Sequence, residues 1–148
     1  MVIVCEEIFM EQCTVRYAVL EDEAWIRIND DLLRSDLIRR KISTKEVLLA
    51  ELCGVPTGLL RFSFLWDTMP FMNLLFIVEE HRERGIGSKL VTSWEEMMKA
   101  DGYQYVMTST QADETAQHFY RKLGYRDCGS FLYPGQTPLE LLLTKELL

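Results

Sequence analysis

The order of apolar runs in this 148-residue chain predicts a mixed α/β fold, with a mostly antiparallel central sheet of about 6–7 strands flanked by about four helices. Two strand-like runs, 46–53 and 59–66, are separated by a segment with two glycines and a proline, which is typical of an antiparallel hairpin. A third run, 71–78, is almost entirely apolar and precedes a glycine loop and a helical segment. This pattern indicates a buried strand that opens a strand–helix–strand unit with two parallel strands.

The remaining elements follow from periodicity. Residues 15–19 alternate and predict a first strand, whereas residues 21–40 carry apolar side chains at helical spacing. The polar residues 29–31 are expected to divide that segment into two short helices. Further along, the pattern predicts helices at 88–100 and 112–123, ended by Gly102 and Gly124, and strands at 103–109, 125–133 and 139–144.

Composition and length indicate one globular domain over residues 1–148. The apolar fraction is 48% and the charged fraction 26%, which are ordinary values for such a domain. No apolar run reaches the roughly 18–20 residues that span a bilayer, and no signal peptide is apparent. We therefore expect a cytoplasmic protein without a membrane partner, in which residues 1–13 form an N-terminal extension, an extra strand or a dimer contact.

Charge and cysteine content limit the classes of partner and the kinds of site that the chain is expected to have. The net charge of −7 disfavours nucleic-acid binding and favours cationic partners. Residues 21–36 contain six acids and two arginines, which suggests either a surface facing a cationic acceptor or a solvated helix face. The four cysteines lack C-x-x-C spacing and neither histidine has a ligand partner at helical spacing, so neither a metal site nor a disulfide framework is expected.

The segment from Arg82 to Ser88 carries the most specific signal. It places two arginines and two glycines between a predicted strand and a predicted helix. A helix N-terminus offers unpaired N–H groups and a positive dipole end, and glycines let the backbone approach an anion. The segment therefore predicts a phosphate site. Its spacing, R-x-x-G-x-G, fits neither the dinucleotide loop nor the P-loop, and a solvated glycine-rich turn is the alternative interpretation.

This loop resembles the pyrophosphate loop of the GNAT superfamily of acyl-CoA-dependent N-acetyltransferases. A second stretch, from Ala116 to Tyr125, is similar to the A-x-x-F-Y-x-K-x-G-[FY] helix-to-strand motif of that family. The two motifs occur in the family's order, and the resemblance covers roughly residues 15–144. The chain is thus identified as a member of the superfamily, with the fold predicted above.

The resemblance implies acetyl-CoA as the cosubstrate, with the strand end pairing with pantetheine and the loop holding the pyrophosphate. The implied cofactor-binding residues are Phe76, Ile77, Val78, Arg82, Glu83, Arg84, Gly85, Ile86, Gly87, Ser88, Asp113, Ala116 and Tyr120. The sequence departs from the family at Asp113, where an asparagine is common. A carboxylate can accept a hydrogen bond or cap the helix there, but it donates only when protonated.

The implied chemistry needs an acid and a base. Tyr120 matches the family's general acid, since a phenol stays protonated at neutral pH, although its spacing also fits a core tyrosine. Glu79 and Glu80, which follow the buried strand, are candidates for the general base, and solvated charges are the alternative interpretation. His81, Asp67 and Asn73 are further candidates for that role.

The predicted function is transfer of an acetyl group to a primary amine by direct attack in a ternary complex, a reaction of EC 2.3.1 type. The acidic segment 21–36 favours a cationic small-molecule amine as the acceptor. The alternatives are a protein N-terminus or lysine, and a non-catalytic acyl-CoA-binding regulatory module. The resemblance also makes a homodimer an expectation.

Overall fold

The structure, a computed structural model, describes residues 12–148. Within that range it contains seven strands and four α-helices, joined by short turns. In chain order these are β1 (Cys13–Tyr17), α1 (Glu23–Asn29), α2 (Ser35–Ser43), β2 (Val47–Leu52), β3 (Val55–Leu65), β4 (Met69–Ile77), α3 (Ile86–Ala100), β5 (Tyr105–Gln111), α4 (Ala116–Lys122), β6 (Arg126–Phe131) and β7 (Glu140–Glu146). Two 3₁₀ turns, Leu20–Asp22 and Glu79–His81, precede α1 and α3.

The strands form a mixed sheet in the order β1-β2-β3-β4-β5-β7-β6. The pairs β1/β2, β2/β3, β5/β7 and β6/β7 are antiparallel. Strands β4 and β5 are parallel, with Phe71 opposite Met107 and Met72 opposite Thr108. The predicted mixed, mostly antiparallel sheet is therefore confirmed, as is the parallel pair on either side of the glycine loop.

The described chain divides into two compact units. The first runs up to Phe62 and includes Leu74–Trp94, and the second comprises Ser63–Asn73 and Glu95–Leu148. The interpretation of residues 1–148 as one domain stays a prediction. The predicted extension, residues 1–13, lies outside the described residues except for Gln12 and Cys13. No helix within residues 12–148 is long and apolar enough to cross a membrane.

The core of the first unit is formed by α1, α2, β2 and β3. Its side chains recur at helical spacing on the helices and at alternate positions on the strands. They are Ile26, Ile38, Ile42, Val47, Leu49 and Leu59, and Ala18, which follows β1, packs with them. Leu48, Ala50 and Leu60 occupy the intervening strand positions and are also fully buried, so these strands are covered on both faces.

Ion pairs hold the charged side chains of the first unit. Arg16 on β1 donates to both carboxylate oxygens of Asp22, at 2.7 and 2.9 Å, and to Glu51 at 2.6 Å. Arg61 on β3 donates to Asp30 at 2.6 Å, and both of these side chains are buried. More exposed pairs join Arg39 to Glu23 and Arg34 to Asp36, each at 2.8 Å. Four of the six acids between residues 21 and 36 are thus ion-paired within their own unit.

The turn between β2 and β3 is shorter than the sequence predicted. Cys53 (φ 51°) and Gly54 (φ 78°) are both left-handed, as a two-residue type I′ hairpin requires. Leu52 pairs with Val55, so the predicted five-residue loop 54–58 is wrong. Pro56 fits inside β3 because the register shifts next to it: Glu51 pairs with Pro56 and Ala50 with Gly58, so Thr57 is the extra residue of a bulge. The ladder is locally disrupted there and a missing N–H is tolerated.

In the second unit, β7 lies between β5 and β6 although it is last in chain order. It pairs with β5 from Tyr105↔Glu146 to Gln111↔Glu140. On its other side β7 pairs with β6, with a register shift between Asp127 and Gly129. All six residues of β6 are exposed, as expected for an edge strand that is not covered within the described chain.

Both predicted glycine helix ends are confirmed. Gly102 and Gly124 have φ of 94° and 95°. At the end of α4, the N–H of Tyr125 donates to the carbonyl of Tyr120 at 3.1 Å and the N–H of Gly124 donates to that of Arg121 at 3.0 Å. These two hydrogen bonds together form the Schellman motif, and Gly102 ends α3 in the same way.

The starts of these two helices differ from the prediction. Helix α3 begins at Ile86, two residues early, so Gly87 and Ser88 lie in its first turn. Helix α4 begins at Ala116, four residues late. The reason is that the N–H of Ala112 bonds to the carbonyl of Leu139 at 2.8 Å and holds that residue to the sheet.

Gly58→Ala tests the packing at the end of β4. An added Cβ would lie 2.6 Å from Cδ1 of Ile77, 3.0 Å from Cδ1 of Leu90 and 3.1 Å from the carbonyl oxygen of Phe76. We expect urea denaturation to show a loss of about 1–3 kcal/mol in the free energy of unfolding. Gly129→Ala is the matched control, because its nearest atom is 3.7 Å away. An equal loss in both variants would contradict the prediction.

Asp22→Asn tests the Arg16 cluster through pH. The hydrogen bonds from Arg16 hold the pKa of Asp22 below its ordinary value, and burial opposes this only in part. The ionised carboxylate therefore stabilises the fold above the unfolded-state pKa of about 3.9, and this contribution is lost as the pH falls through the folded-state pKa. The substitution should destabilise at pH 7 and flatten the decline of the unfolding free energy below about pH 4.

The exposed pair offers the control for this experiment. Asp36→Asn removes the partner of Arg34, whose side chain is 80% exposed, and should change the unfolding free energy little at any pH. A pH curve for Asp22→Asn that runs parallel to that of the unsubstituted protein would refute the assignment.

Candidate active site

The end of β4 has two chemically different edges. The N–H of Val78 donates to the carbonyl of Thr57 on β3 at 2.9 Å, and the carbonyl of Phe76 points towards Gly58 on the same strand. Because backbone groups alternate sides along a strand, the N–H and C=O of Ile77 face the opposite edge. Of the three predicted residues at this strand end, Ile77 thus directs its backbone groups away from β3.

Two left-handed residues shape the loop that follows. Glu83 has φ 60° and Gly85 has φ 86°. Helix α3 then starts at Ile86, whose side chain is buried and anchors the first turn, and the N–H of Lys89 donates to the carbonyl of Gly85 at 3.0 Å. The N–H groups of residues 85–88 consequently have no partner within the helix. An anion is favoured there by these donors together with the helix dipole.

Arg82 is exposed, and its side chain also contacts the strand end. Its Nε donates to the carbonyl of Ile77 at 2.9 Å, and its guanidinium carbon lies 5.8 Å from the centre of the Phe76 ring. Its two terminal nitrogens make no hydrogen bond to the described residues, so they are available to an anion. Arg84 is exposed at the tip of the same loop.

The acidic candidates for the general base lie between the strand end and the loop. Glu79 and Glu80 are exposed in the 3₁₀ turn, and neither forms an ion pair or side-chain hydrogen bond with the described part of the chain. Among the further candidates, His81 is half-buried in the same turn, while Asp67 and Asn73 are exposed. Their catalytic roles remain predictions.

Tyr120 lies near the end of α4 in the second unit. It is 7% exposed, and the rings of Phe119 and Tyr125 contact it edge-on at centroid distances of 5.2 and 5.7 Å. Burial raises the pKa of Tyr120 to about 12, and the Thr108 hydroxyl counteracts this in part. The phenol is therefore protonated throughout the physiological range. Thr108 itself donates to the carbonyl of Met72 at 3.0 Å, which ties β5 to β4.

The two other predicted residues of this unit lie at the start of α4. Ala116 is half-buried and is the first residue of the helix. Asp113 is exposed in the preceding turn and makes no side-chain hydrogen bond to the described residues, so the suggested capping role is not observed. That turn is instead held by Gln117, whose side-chain amide donates to the carbonyls of Ala112 and Glu114 at 2.8 and 3.0 Å.

Sequence reasoning missed a buried charged pair next to Tyr125. Glu95 on α3 is 7% exposed and accepts a hydrogen bond from Nζ of Lys145 on β7 at 2.6 Å. Glu95 follows the buried Val91 by one helical turn, so it occupies a position where the helical pattern calls for an apolar residue. A charge at an apolar position was therefore the available signal.

Comparison with known proteins agrees with this architecture. Residues 5–125 match the acetyltransferase (GNAT) family model. A 56-residue segment is 38% identical to N-alpha-acetyltransferase 30 of Schizosaccharomyces pombe; the match covers 37% of this chain and 37% of that protein, so the chain aligns with little more than a third of its relative.

Solved structures share the fold at low identity. Ard1 from Thermoplasma volcanium superposes with a TM-score of 0.81 at 18% identity, over 93% of this chain and 99% of that one. Arabidopsis thaliana Naa50, in complex with the bisubstrate analogue CoA-Ac-MVNAL, gives 0.74 at 15% identity, over 90% and 98%. At these identities the likeness concerns the fold alone. At the level of the family, the predicted N-acetyltransferase class and acetyl-CoA cosubstrate are confirmed: the chain belongs to the acetyltransferase (GNAT) family.

Proposed function

We propose that this protein is an acetyl-CoA-dependent N-acetyltransferase whose acceptor is the α-amino group of protein N-termini. The match of residues 5–125 to the acetyltransferase family carries the proposal. The acceptor is supported by the name of the Schizosaccharomyces pombe relative, an N-alpha-acetyltransferase, and by the bisubstrate analogue CoA-Ac-MVNAL bound to the Arabidopsis thaliana neighbour.

The acidic segment no longer favours a small cationic acceptor. Asp22, Glu23, Asp30 and Asp36 are each paired with an arginine of the same unit, so most of the negative charge in residues 21–36 is already compensated. The observation that motivated a cationic small-molecule acceptor therefore has a structural explanation that needs no acceptor.

The exposure of the base candidates also favours an α-amine. At pH 7 an α-amino group, with a pKa near 7.7–8.0, is about one-tenth neutral, whereas an alkylamine with a pKa near 10.4 is neutral in roughly one molecule in 2,500. Glu79 and Glu80 are exposed carboxylates. Because a larger fraction of an α-amine is already neutral, such a base has fewer protons to remove before attack, and it accepts the proton directly or through water.

Bound acetyl-CoA supplies the acetyl group as a thioester. The N–H groups of residues 85–88 and the terminal nitrogens of Arg82 are the donors proposed for its pyrophosphate, because the helix leaves the former unpaired and the described residues leave the latter unused. Glu83, Arg84, Gly85, Ile86, Gly87 and Ser88 make up that loop and first turn. At the strand end, the Ile77 N–H would donate to the thioester carbonyl and polarise it, since the Val78 N–H already serves Thr57.

Tyr120 is the proposed general acid. It holds a proton at every physiological pH because burial raises its pKa to about 12, and it gives this proton to the sulfur as the carbon–sulfur bond breaks. The amine nitrogen forms the new bond to the acetyl carbon and loses its own proton to the base. Asp113 and Ala116 are proposed cofactor contacts at the start of α4. A homodimer and a cytoplasmic location remain predictions.

A substrate panel tests the acceptor. We expect thiol release from acetyl-CoA with peptides that have a free N-terminus, and none with the same peptides blocked at the N-terminus but carrying an internal lysine. Polyamines and aminoglycosides form the second arm. Turnover with these amines and not with peptides would overturn the proposed acceptor. Calorimetric binding of CoA without turnover on any amine would instead favour the non-catalytic module.

Tyr120→Phe tests the acid. Loss of the hydroxyl should lower kcat by about a hundredfold and leave the KM for acetyl-CoA within about twofold, because the proton is needed only as the bond breaks. Tyr105→Phe, on an exposed tyrosine of β5, is the control and should keep full activity. An unchanged kcat in Tyr120→Phe would leave Tyr120 as a core side chain only.

A further inference from the structure

The hydroxyl of Tyr120 can act as a general acid only if the end of α4 keeps it in a fixed position. The helix ends in a Schellman motif in which Tyr120 and Tyr125 are the two residues joined by the outer hydrogen bond, at 3.1 Å. Side chains at these two positions commonly pack together, and here the two rings meet at 5.7 Å and 61°. The position of Tyr120 is therefore coupled to that of Tyr125.

Lys145 of β7 lies across this helix end. Its Cε and Cδ lie 3.5 and 4.0 Å from where a Cβ of Gly124 would be, so the aliphatic stem covers the glycine at van der Waals distance. Its Nζ is 5.8 Å from the centre of the Tyr125 ring and 2.6 Å from Oε2 of Glu95. The lysine thus lies against Gly124 and Tyr125, which follow the C-cap of α4, and ends on a carboxylate of α3.

The burial of this pair does not by itself indicate a stabilising role. The side chains of Glu95 and Lys145 are 9% and 24% exposed, and replacing such a pair with apolar residues is often neutral or stabilising. Oε1 of Glu95 and the hydroxyl of Tyr125 are also buried and have no hydrogen-bond partner among the described residues. Burial, and after it the Glu95 charge, raise the pKa of Tyr125.

We infer that the Glu95–Lys145 ion pair, acting through Gly124 and Tyr125, positions the Tyr120 hydroxyl for catalysis. The inference rests on the proposed role of Tyr120 as the acid. Glu95, Lys145 and Tyr125 are positioning residues: they touch the end of α4, and no contact of theirs with substrate is required.

A kinetic cycle tests this inference. The double variant Glu95→Gln/Lys145→Met removes both charges together, so no unpaired charge is left buried. It should lower kcat about ten- to a hundredfold and leave the KM for acetyl-CoA within about twofold. Added to Tyr120→Phe, the same two substitutions should lower kcat by no more than a further twofold, because there is then no hydroxyl left to misplace.

The matched control is Glu46→Gln/Lys41→Met. This pair has the same chemistry, a distance of 3.0 Å and side chains 17% and 20% exposed, but it lies in the first unit. It should retain its kcat. An equal fall of kcat in the Glu95/Lys145 variant with and without the Tyr120 hydroxyl would overturn the inference, as would no fall at all.

A second readout separates this inference from the proposed function. In protein with labelled tyrosine rings, the resonance of Tyr120, assigned with Tyr120→Phe, should shift or broaden in Glu95→Gln/Lys145→Met and stay in place in the control pair. If Tyr120→Phe leaves kcat unchanged, the acid role fails, and the resonance still decides whether the pair holds Tyr120. An unmoved resonance would overturn the inference.

A further variant covers a failure of the double variant to fold. Tyr125→Leu keeps the ion pair but removes the ring between Lys145 and Tyr120. It should reproduce the loss of kcat, again masked by Tyr120→Phe. A loss that adds fully to that of Tyr120→Phe would overturn the inference.

Discussion

The absence of a side chain at residue 58 is the constraint on which the loop before α3 depends. Gly58 lies beside the carbonyl of Phe76 and the side chains of Ile77 and Leu90. Ile77 ends β4 and Leu90 lies in the second turn of α3, so the elements at both ends of the arginine–glycine loop pack around the same glycine. With these elements packed in this way, the first turn of α3 presents its N–H groups in one direction before any ligand arrives, which reduces the ordering that binding would otherwise require.

Much of this architecture was predictable because the sequence signals were local. Apolar runs and glycines gave the strands, the helices and both Schellman ends, and the loop and Tyr120 motifs each occupy a few consecutive residues. The predicted boundaries of elements were wrong where a partner distant in sequence determines where the element begins. The N–H of Ala112 bonds to the carbonyl of Leu139, which delays the start of α4, and the bulge next to Pro56 lets β3 begin early. The Glu95–Lys145 pair joins residues 50 apart, so the local pattern signals a charge at an apolar helical position but does not identify its partner.

Charge counts proved a weaker guide than charge placement. Residues 21–36 suggested an acidic surface, yet Arg16, Arg39 and Arg61, which lie outside that segment or on other elements, neutralise three of its acids. Arg16 alone binds two carboxylates, using the fixed fork of its guanidinium. Net charge still describes the whole molecule, but the arginines contributed by neighbouring strands and helices determine which acids a ligand would meet.

The position of β7 has a consequence for the synthesis of the chain. The residues of β5 and β7 that pair are 29 to 41 positions apart, from Gln111↔Glu140 to Tyr105↔Glu146. At ribosomal speeds of about 5–20 residues per second, the edge of β5 that pairs with β7 is synthesised roughly 1.5–8 s before its partner. Strand β6, which pairs with β7 alone among the described strands, is also synthesised before it. During that interval the nascent chain carries open strand edges, which are the surfaces most prone to wrong pairing, and chaperone protection would matter most then.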